Sequence, residues 1–266
     1  MVNEGKHSIL GILVSAVDYE TTVAAVAEAA LARRGMAVSA MAVHGIMTGC
    51  LDQHHKHRLN SLDFVVPDGQ PVKWALRWLH RVRLPDRVYG PQLMLEVCAT
   101  AERLKLPVFF YGSTDKTLTV LTANLRKQFP RLEIAGVESS RFRCLSPQER
   151  QEVISHITDS GARIVFVALG CPRQEVWAYE FRNALSVPVI AVGGAFAVHA
   201  RAVAQAPEWM QNRGLEWIFR LASEPRRLWK RYVFLNPLFL IGVCLQMLGF
   251  PFATGGRKPS GEMLYG

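Results

Sequence analysis

The sequence lacks most features that announce a cofactor or metal fold. Its five cysteines are Cys50, Cys98, Cys144, Cys171 and Cys244. No two of them stand in a CxxC or zinc-ribbon spacing, which argues against a disulfide framework and a structural zinc. There is no GxGxxG fingerprint and no Walker A loop, the glycine patterns that cradle dinucleotides and nucleoside triphosphates. HExxH is absent too. The opening, MVNEGKHSIL, lacks the basic, apolar and small-residue succession of a secretory leader. The expectation is reduced thiols in a cytosolic compartment. No internal repeat is visible.

Long spanning helices are also missing. Residues 233–252 carry no charge, but Asn236, Pro237, Gln246 and Pro251 interrupt them, and the cleanest part, 238–250, has 13 residues. A spanning helix needs about 20. The segment suits an interfacial or re-entrant position, with Trp229, Arg231 and Tyr232 at headgroup level.

What is present is apolar and basic. Half of the 266 residues are hydrophobic and a fifth are charged. That composition excludes a disordered chain, a collagen and a coiled coil, and the length suffices for a core without staples. The net charge is +9, and residues 201–266 hold nine Lys/Arg against four Asp/Glu. Such an excess suits phosphates, nucleic acid or an anionic membrane. Nucleic acid fits poorly, because the aromatic residues of 207–232 run straight into the apolar segment and do not alternate along a groove.

Apolar runs and amphipathic stretches alternate up to about residue 195. Strands are predicted at 8–17, 36–43, 63–66, 107–111, 131–137, 163–169 and 187–192. Helices are predicted at 20–34, 52–62, 70–81, 91–105, 115–128, 147–160 and 173–185. This is the pattern of an α/β, doubly wound, Rossmann-like and mostly parallel sheet, with a C-terminal basic, membrane-associating helical appendage. The expected units are 1–205 as catalytic domain, 206–252 as appendage and 253–266 as a disordered tail. Ligands of such sheets bind beyond the carboxyl ends of the strands. Four turns fall there: 67–69, 112–114, 170–174 and 193–196.

Each motif has a plain reading beside a functional one. Asp68, directly after a strand, could take a proton from an attacking hydroxyl, or simply belong to a Pro-Asp-Gly turn. Gly193 and Gly194 could admit a phosphate to backbone N–H groups, or only allow tight packing. Gln174 could hydrogen-bond a sugar or phosphate, or be a polar first-turn residue of a Pro-started helix. His54, His55 and His57 match no metal-binding helix pattern and read as a solvated polar helix. His44 could point into the cleft or be a structural histidine. Arg220, Arg227 and Arg231 share one helical face and suit either a pyrophosphate or anionic lipid.

Together, the stretches VVPDGQPVKWALRW, RVYGPQLM, FFYGSTD, ALGCPRQEVW, VGGAF, QAPEWM and GLEWIFRLASEPRRLWKRY resemble the WecG/TagA/CpsF glycosyltransferase family. The resemblance runs from about residue 9 to 232. It implies an inverting, metal-independent transfer from a UDP-sugar to a polyprenyl-diphosphate-linked acceptor. It places the protein peripherally or monotopically at the cytoplasmic face of the inner membrane, in cell-surface polysaccharide synthesis, with exopolysaccharide as the expected product. No cofactor and no metal are expected, and self-association occurs among members. By position, Asp68 matches the family's proposed base and Gln174 its polar G-x-P-x-Q-E residue. Gly193 and Gly194, with Gly112, Gly170 and Arg173, lie where the nucleotide-sugar is expected. Arg220, Arg227 and Arg231 fall among the arginines that would hold the lipid diphosphate.

Three departures stand out. The usual T-x-N after the second strand reads Met41-Ala42-Val43-His44-Gly45, with Thr48 as a loose substitute and His44 as a candidate for the orienting role. The usual Phe-Asp after the glycine turn is Phe196-Ala197, and Arg201 stands near a family glycine. Two rivals follow. A nucleotide-sugar-modifying Rossmann-type enzyme would bind NAD tightly. A non-catalytic membrane-associated scaffold of a polysaccharide assembly complex would not bind UDP.

Overall fold

The computed structural model describes the backbone of residues 1–266 and every side chain except those of Glu208, Asn212, Arg227, Lys230 and Arg231. The first apolar run, read as one strand, is cut in two. Leu10 and Gly11 both take left-handed φ, 53° and 85°, as a tight two-residue hairpin turn requires. Strands β1 (Asn3–Ile9) and β2 (Ile12–Val17) therefore pair antiparallel in a small sheet of their own. Helix α1 (Tyr19–Leu31) starts on Asp18, whose carboxylate accepts from Thr21 N. It leads to β3 (Met36–Met41), in a different sheet, so no parallel unit opens the chain.

The main sheet is parallel throughout. To β3 it adds β4 (Phe64–Pro67), β5 (Val108–Gly112), β6 (Ile134–Glu138), β7 (Ile164–Ala168) and β8 (Pro188–Ala191), in the order β4-β3-β8-β7-β5-β6. Every residue of β5, β7 and β8 is buried. Helices cover both faces, so these strands read as continuous apolar runs and not as alternating ones.

The covering helices are α2 (Val43–Leu51), α3 (Gln53–Asn60), α4 (Gln70–His80), α5 (Gly90–Leu104), α6 (Asp115–Gln128), α7 (Pro147–Asp159), α8 (Arg173–Phe181) and the short α9 (Ala195–His199). Helix α2 is absent from the sequence expectation. Its residues, VHGIMTGCL, carry only His44 and Thr48 as polar side chains, too few to mark an amphipathic period. Helix α3 is not the solvated helix that its histidines suggest. His55, Lys56, Arg58 and Leu59 are all buried.

On one face of the sheet, Trp177 is fully buried and stacks between Tyr111 and Phe181, with ring centroids 4.9 and 4.1 Å away. On the other, Phe110 stacks on Phe166 and meets Phe196 edge-on.

Helix α7 carries a reciprocal cap. Ser146 Oγ accepts from Glu149 N at 3.1 Å, and Glu149 Oε2 accepts from Ser146 N at 2.7 Å. Ser146→Ala should therefore lower stability by about 1 kcal/mol, read as a lower denaturation midpoint at unchanged slope. A loss below a few tenths would mean that the Arg141 and Arg143 contacts to Glu149 hold the helix end without the cap.

Beyond α9 come α10 (Glu208–Asn212), α11 (Glu216–Ser223), α12 (Pro225–Lys230), a π-helical turn (Arg231–Leu235) and α13 (Asn236–Met247). Among the described residues no helix is long and apolar enough to cross a membrane. Helix α13 buries Phe239, Gly242 and Val243, packs on α2 and α4, and meets Leu10 of the β1–β2 turn through Gly242. Gln246, which seemed to interrupt the apolar run, belongs to that face. Its side chain accepts from Leu10 N at 2.8 Å and donates to Ser8 O at 2.9 Å.

Leu238, Ile241 and Leu245 on the same helix, with Leu248 just past its end, form an exposed apolar stripe. The tail, which the composition reads as disordered, is tied down instead. Glu180 accepts from Met263 N and Leu264 N at 2.8 and 3.0 Å, and Ser140 Oγ donates to Gly266 O at 2.7 Å.

Candidate active site

The site grows from the carboxyl end of β4. Asp68 N donates to Met41 O at 3.1 Å, so the residue hangs between the ends of β3 and β4. Its Oδ1 accepts from Gly90 N, the first amide of α5, at 2.6 Å. Gly90 must be a glycine, because a Cβ there would sit 2.9 Å from Val192 O and 3.3 Å from Ala40 Cβ. That close approach brings Asp68 against the end of β8, where the glycine turn begins.

Asp68 is half-buried, with its carboxyl group turned inward. Burial pushes its pKa up, and Glu216 pushes the same way. Arg87, the Gly90 N–H and Arg220 oppose the shift.

Gln174 holds the other side. It is 2 % exposed, near the start of α8. Its Oε1 accepts from Gly193 N at 3.1 Å, and its Nε2 donates to Glu175 Oε1 at 2.8 Å. Ser39 Oγ, on β3, donates to the same Glu175 oxygen at 3.2 Å. Gln174 therefore fixes the glycine turn from beneath and has little left to offer a ligand. Burial raises the pKa of Glu175 against the hydrogen bonds from Gln174, Cys171 and Ser39.

The remaining expected residues are spread along the same edge. Gly112, Gly170 and Gly193 all hold left-handed φ, and Gly194 does not. Arg173 is exposed, and its guanidinium lies 5.6 Å from the Tyr265 ring centroid, facing the tail. His44 and Thr48 lie on α2, both half-buried. The Thr48 hydroxyl donates to His44 O at 2.8 Å, so its proton is spent within the helix.

Arg220 is brought toward Asp68, but not as a free cation. It pairs with Glu216 Oε1 at 2.9 Å and donates to Tyr89 Oη at 3.5 Å. The side chains of Arg227 and Arg231 lie outside the described residues.

Two charged residues that act on Asp68 escaped the sequence reading, Arg87 and Glu216. Arg87 is 7 % exposed, and it donates to Glu216 Oε2 at 2.8 Å and to Gln211 Oε1 at 3.0 Å. Its guanidinium also lies over the Tyr89 ring, 4.4 Å from the centroid. Although burial opposes it, Glu216 and Asp68 hold its pKa above the usual value. Tyr89, pushed up to about 12 by burial and Glu216, stays a phenol. Arg87, Glu216 and Arg220 thus form an ion-pair chain from α11 to Asp68. Arg87 and Glu216 stand in the stretches RVYG and GLEW, and no local spacing pairs the two.

The model of the glycosyl transferase WecG/TagA/CpsF family matches residues 7–251. The chain belongs to this family. It is a glycosyltransferase. The chain is 33% identical over 181 residues to an N-acetylglucosaminyldiphosphoundecaprenol N-acetyl-beta-D-mannosaminyltransferase of Bacillus subtilis (strain 168), covering 68% of this chain and 68% of that protein. It is 32% identical over 174 residues to the protein of the same name from Bacillus spizizenii (strain ATCC 23059 / NRRL B-14472 / W23), covering 65% of each. The matched stretch is thus about two thirds of either relative.

Arg201, near the position where the WecG/TagA/CpsF pattern has a glycine, takes a left-handed backbone. Its φ is 54°, a conformation that L-residues with side chains rarely adopt. A cavity of about 660 Å³ lies beside it, lined by Asn124, Lys127, His199 and Arg201, on the flank of α6 and away from Asp68.

Proposed function

We propose that this glycosyltransferase moves a sugar from a UDP-sugar to a polyprenyl-diphosphate-linked acceptor, with inversion at the anomeric carbon, in the synthesis of a cell-surface polysaccharide such as an exopolysaccharide. The observation that carries the reading is the Asp68 carboxylate. It stands at the carboxyl edge of a parallel sheet beside a glycine turn, with its pKa raised by burial and an arginine chain next to it.

In this reading Asp68 takes the proton of an acceptor hydroxyl. The freed oxygen attacks C1 of the donor sugar, and the bond from C1 to the UDP oxygen breaks. Charge on the departing diphosphate is met by backbone N–H groups of the glycine turns and by arginine, with no metal in the step. The relatives' printed names support an acceptor of the N-acetylglucosaminyldiphosphoundecaprenol kind and a donor carrying an N-acetylated hexosamine. The exposed stripe of α13, with exposed Trp209, Trp217 and Trp229, supports docking at the membrane surface that carries such an acceptor.

The test is UDP release. Purified protein is mixed with a panel of UDP-sugars, with and without a synthetic polyprenyl-diphosphate-linked N-acetylglucosamine, in metal-free buffer. Acceptor-dependent release from one donor is the expected result. No release from any donor, together with no UDP binding by calorimetry, would sink the reading and favour a scaffold.

A further inference from the structure

Beneath the turn that carries Gln174, three side chains of metal-ligating type converge: His55 from α3, Cys171 from the turn after β7, and Glu175 from α8. One ligand atom from each lies within 4.8 Å of the others. His55 is 2 % exposed and Glu175 is 1 % exposed. Both ring nitrogens of His55 and the Oε2 of Glu175 are buried without a hydrogen-bond partner among the described residues. Orphaned polar atoms of this kind are rare, because each forfeits water and receives nothing in return. Here the His55 ring and the Glu175 carboxylate each bring one such atom to a shared point beside a sulfur.

We propose that His55, Cys171 and Glu175 bind a divalent transition metal of the zinc class, and that this metal pins Gln174 in place. An imidazole nitrogen, a sulfur and a carboxylate oxygen are a donor set that zinc accepts. The charges balance, since a thiolate and a carboxylate neutralise the dication while His55 binds as the neutral ring. On binding, the Cys171 S–H bond breaks, its proton leaves to water and an S–metal bond forms. No electron is transferred.

The surroundings agree. Arg58, one turn along α3 from His55, is directed to Glu180 at 4.0 Å. Lys56 turns its Nζ to Ala253 O. Cys171 is only half-buried, which gives an entry path from the cleft side.

The metal would tie α3 to the two elements that hold Gln174, whose Oε1 fixes Gly193 N. Its role is positioning, in a layer below the reacting atoms. The sequence hid the site because its ligands stand at 55, 171 and 175, in no recurring spacing.

The experiment uses the full chain and zinc alone. Protein stripped with chelator, reloaded with zinc and dialysed against metal-free buffer should retain about one zinc per chain by elemental analysis. Replacing the partly or fully exposed thiols Cys50, Cys144 and Cys244 with serine should leave that zinc in place. Cys171→Ser and His55→Gln should each weaken binding at least about 100-fold.

Cobalt substituted into the unaltered protein gives a readout that no variant's folding can blur. It should show a sulfur-to-cobalt charge-transfer band that survives the three-serine variant. No retained zinc in the folded wild type, loss of zinc in the three-serine variant, or no cobalt–sulfur band would each overturn the proposal. So would unchanged affinity in both ligand variants. None of these readouts depends on transferase activity, so the glycosyl-transfer reading stands or falls separately.

Discussion

Asp68→Asn is expected to cut turnover about 100- to 10,000-fold, the usual worth of a positioned general base, with the fold intact. Asparagine has the same outline, and its amide oxygen can accept the Gly90 N–H that Oδ1 accepts now. The exchange also removes a carboxylate that burial disfavours. Thermal unfolding should therefore occur at or slightly above the wild-type temperature while UDP release collapses.

The pH profile gives a second, independent handle. The base must be ionised to work, and burial favours its neutral form. Activity should then fall as pH drops through a value above the ordinary carboxylate range near ~4. Arg87 lowers the Asp68 pKa. Arg87→Gln should accordingly move this acid limb to higher pH, and Asp68→Asn should abolish it. A profile of kcat/KM against pH that keeps its acid limb in the Asn variant would remove Asp68 from the role.

The second large effect is expected on stability and concerns Arg87. Arg87→Ala should cost about 3 kcal/mol, the lower end for removing one partner of a buried ion pair. The lower end applies because Glu216 keeps Arg220 at 2.9 Å. What is lost is the 2.8 Å contact to Glu216, the bond to Gln211 and the packing over Tyr89.

The loss should be local first. Glu216 and Gln211 belong to α10 and α11, which carry few buried side chains of their own. Amide hydrogen exchange should speed up there by roughly 100-fold, while α5 and the central strands hardly change. A double-mutant cycle decides whether the pair matters as a pair. Arg87→Ala with Glu216→Ala should cost clearly less than the two single losses added together. Strict additivity would mean that the contact is incidental.

Much of the parallel-sheet half was legible from periodicity alone. Helix α6 and the buried strands β5, β7 and β8 fall within a few residues of their apolar runs. Where the reading failed, side-chain pattern was silent or misleading. Leu10-Gly11 sits inside a continuous apolar run, so only the backbone angles divide it. Helix α2 has only His44 and Thr48 on its polar side, too little to reveal it. The histidine-rich α3 reads as solvated because its burial depends on α8, more than a hundred residues away.

At the site, Asp68, Gln174 and the glycine turns were visible as strand-end residues. Their supports were not. Arg87 and Glu216 meet across 129 positions, and Glu175 matters through Ser39, 136 positions away. No local spacing encodes such pairs.

The ion-pair chain from α11 also makes two events into one equilibrium. Arg220 lowers the proton affinity of Asp68, and Glu216 raises it. An anionic headgroup that draws Arg220 away from Glu216 adds negative charge near Asp68 and strengthens the proposed base. Linkage is reciprocal, so protonation of Asp68 must alter the headgroup's affinity by the same factor. Acceptor binding would then be measurably pH-dependent even with no donor present. The base would reach its full strength only when there is a hydroxyl for it to take a proton from.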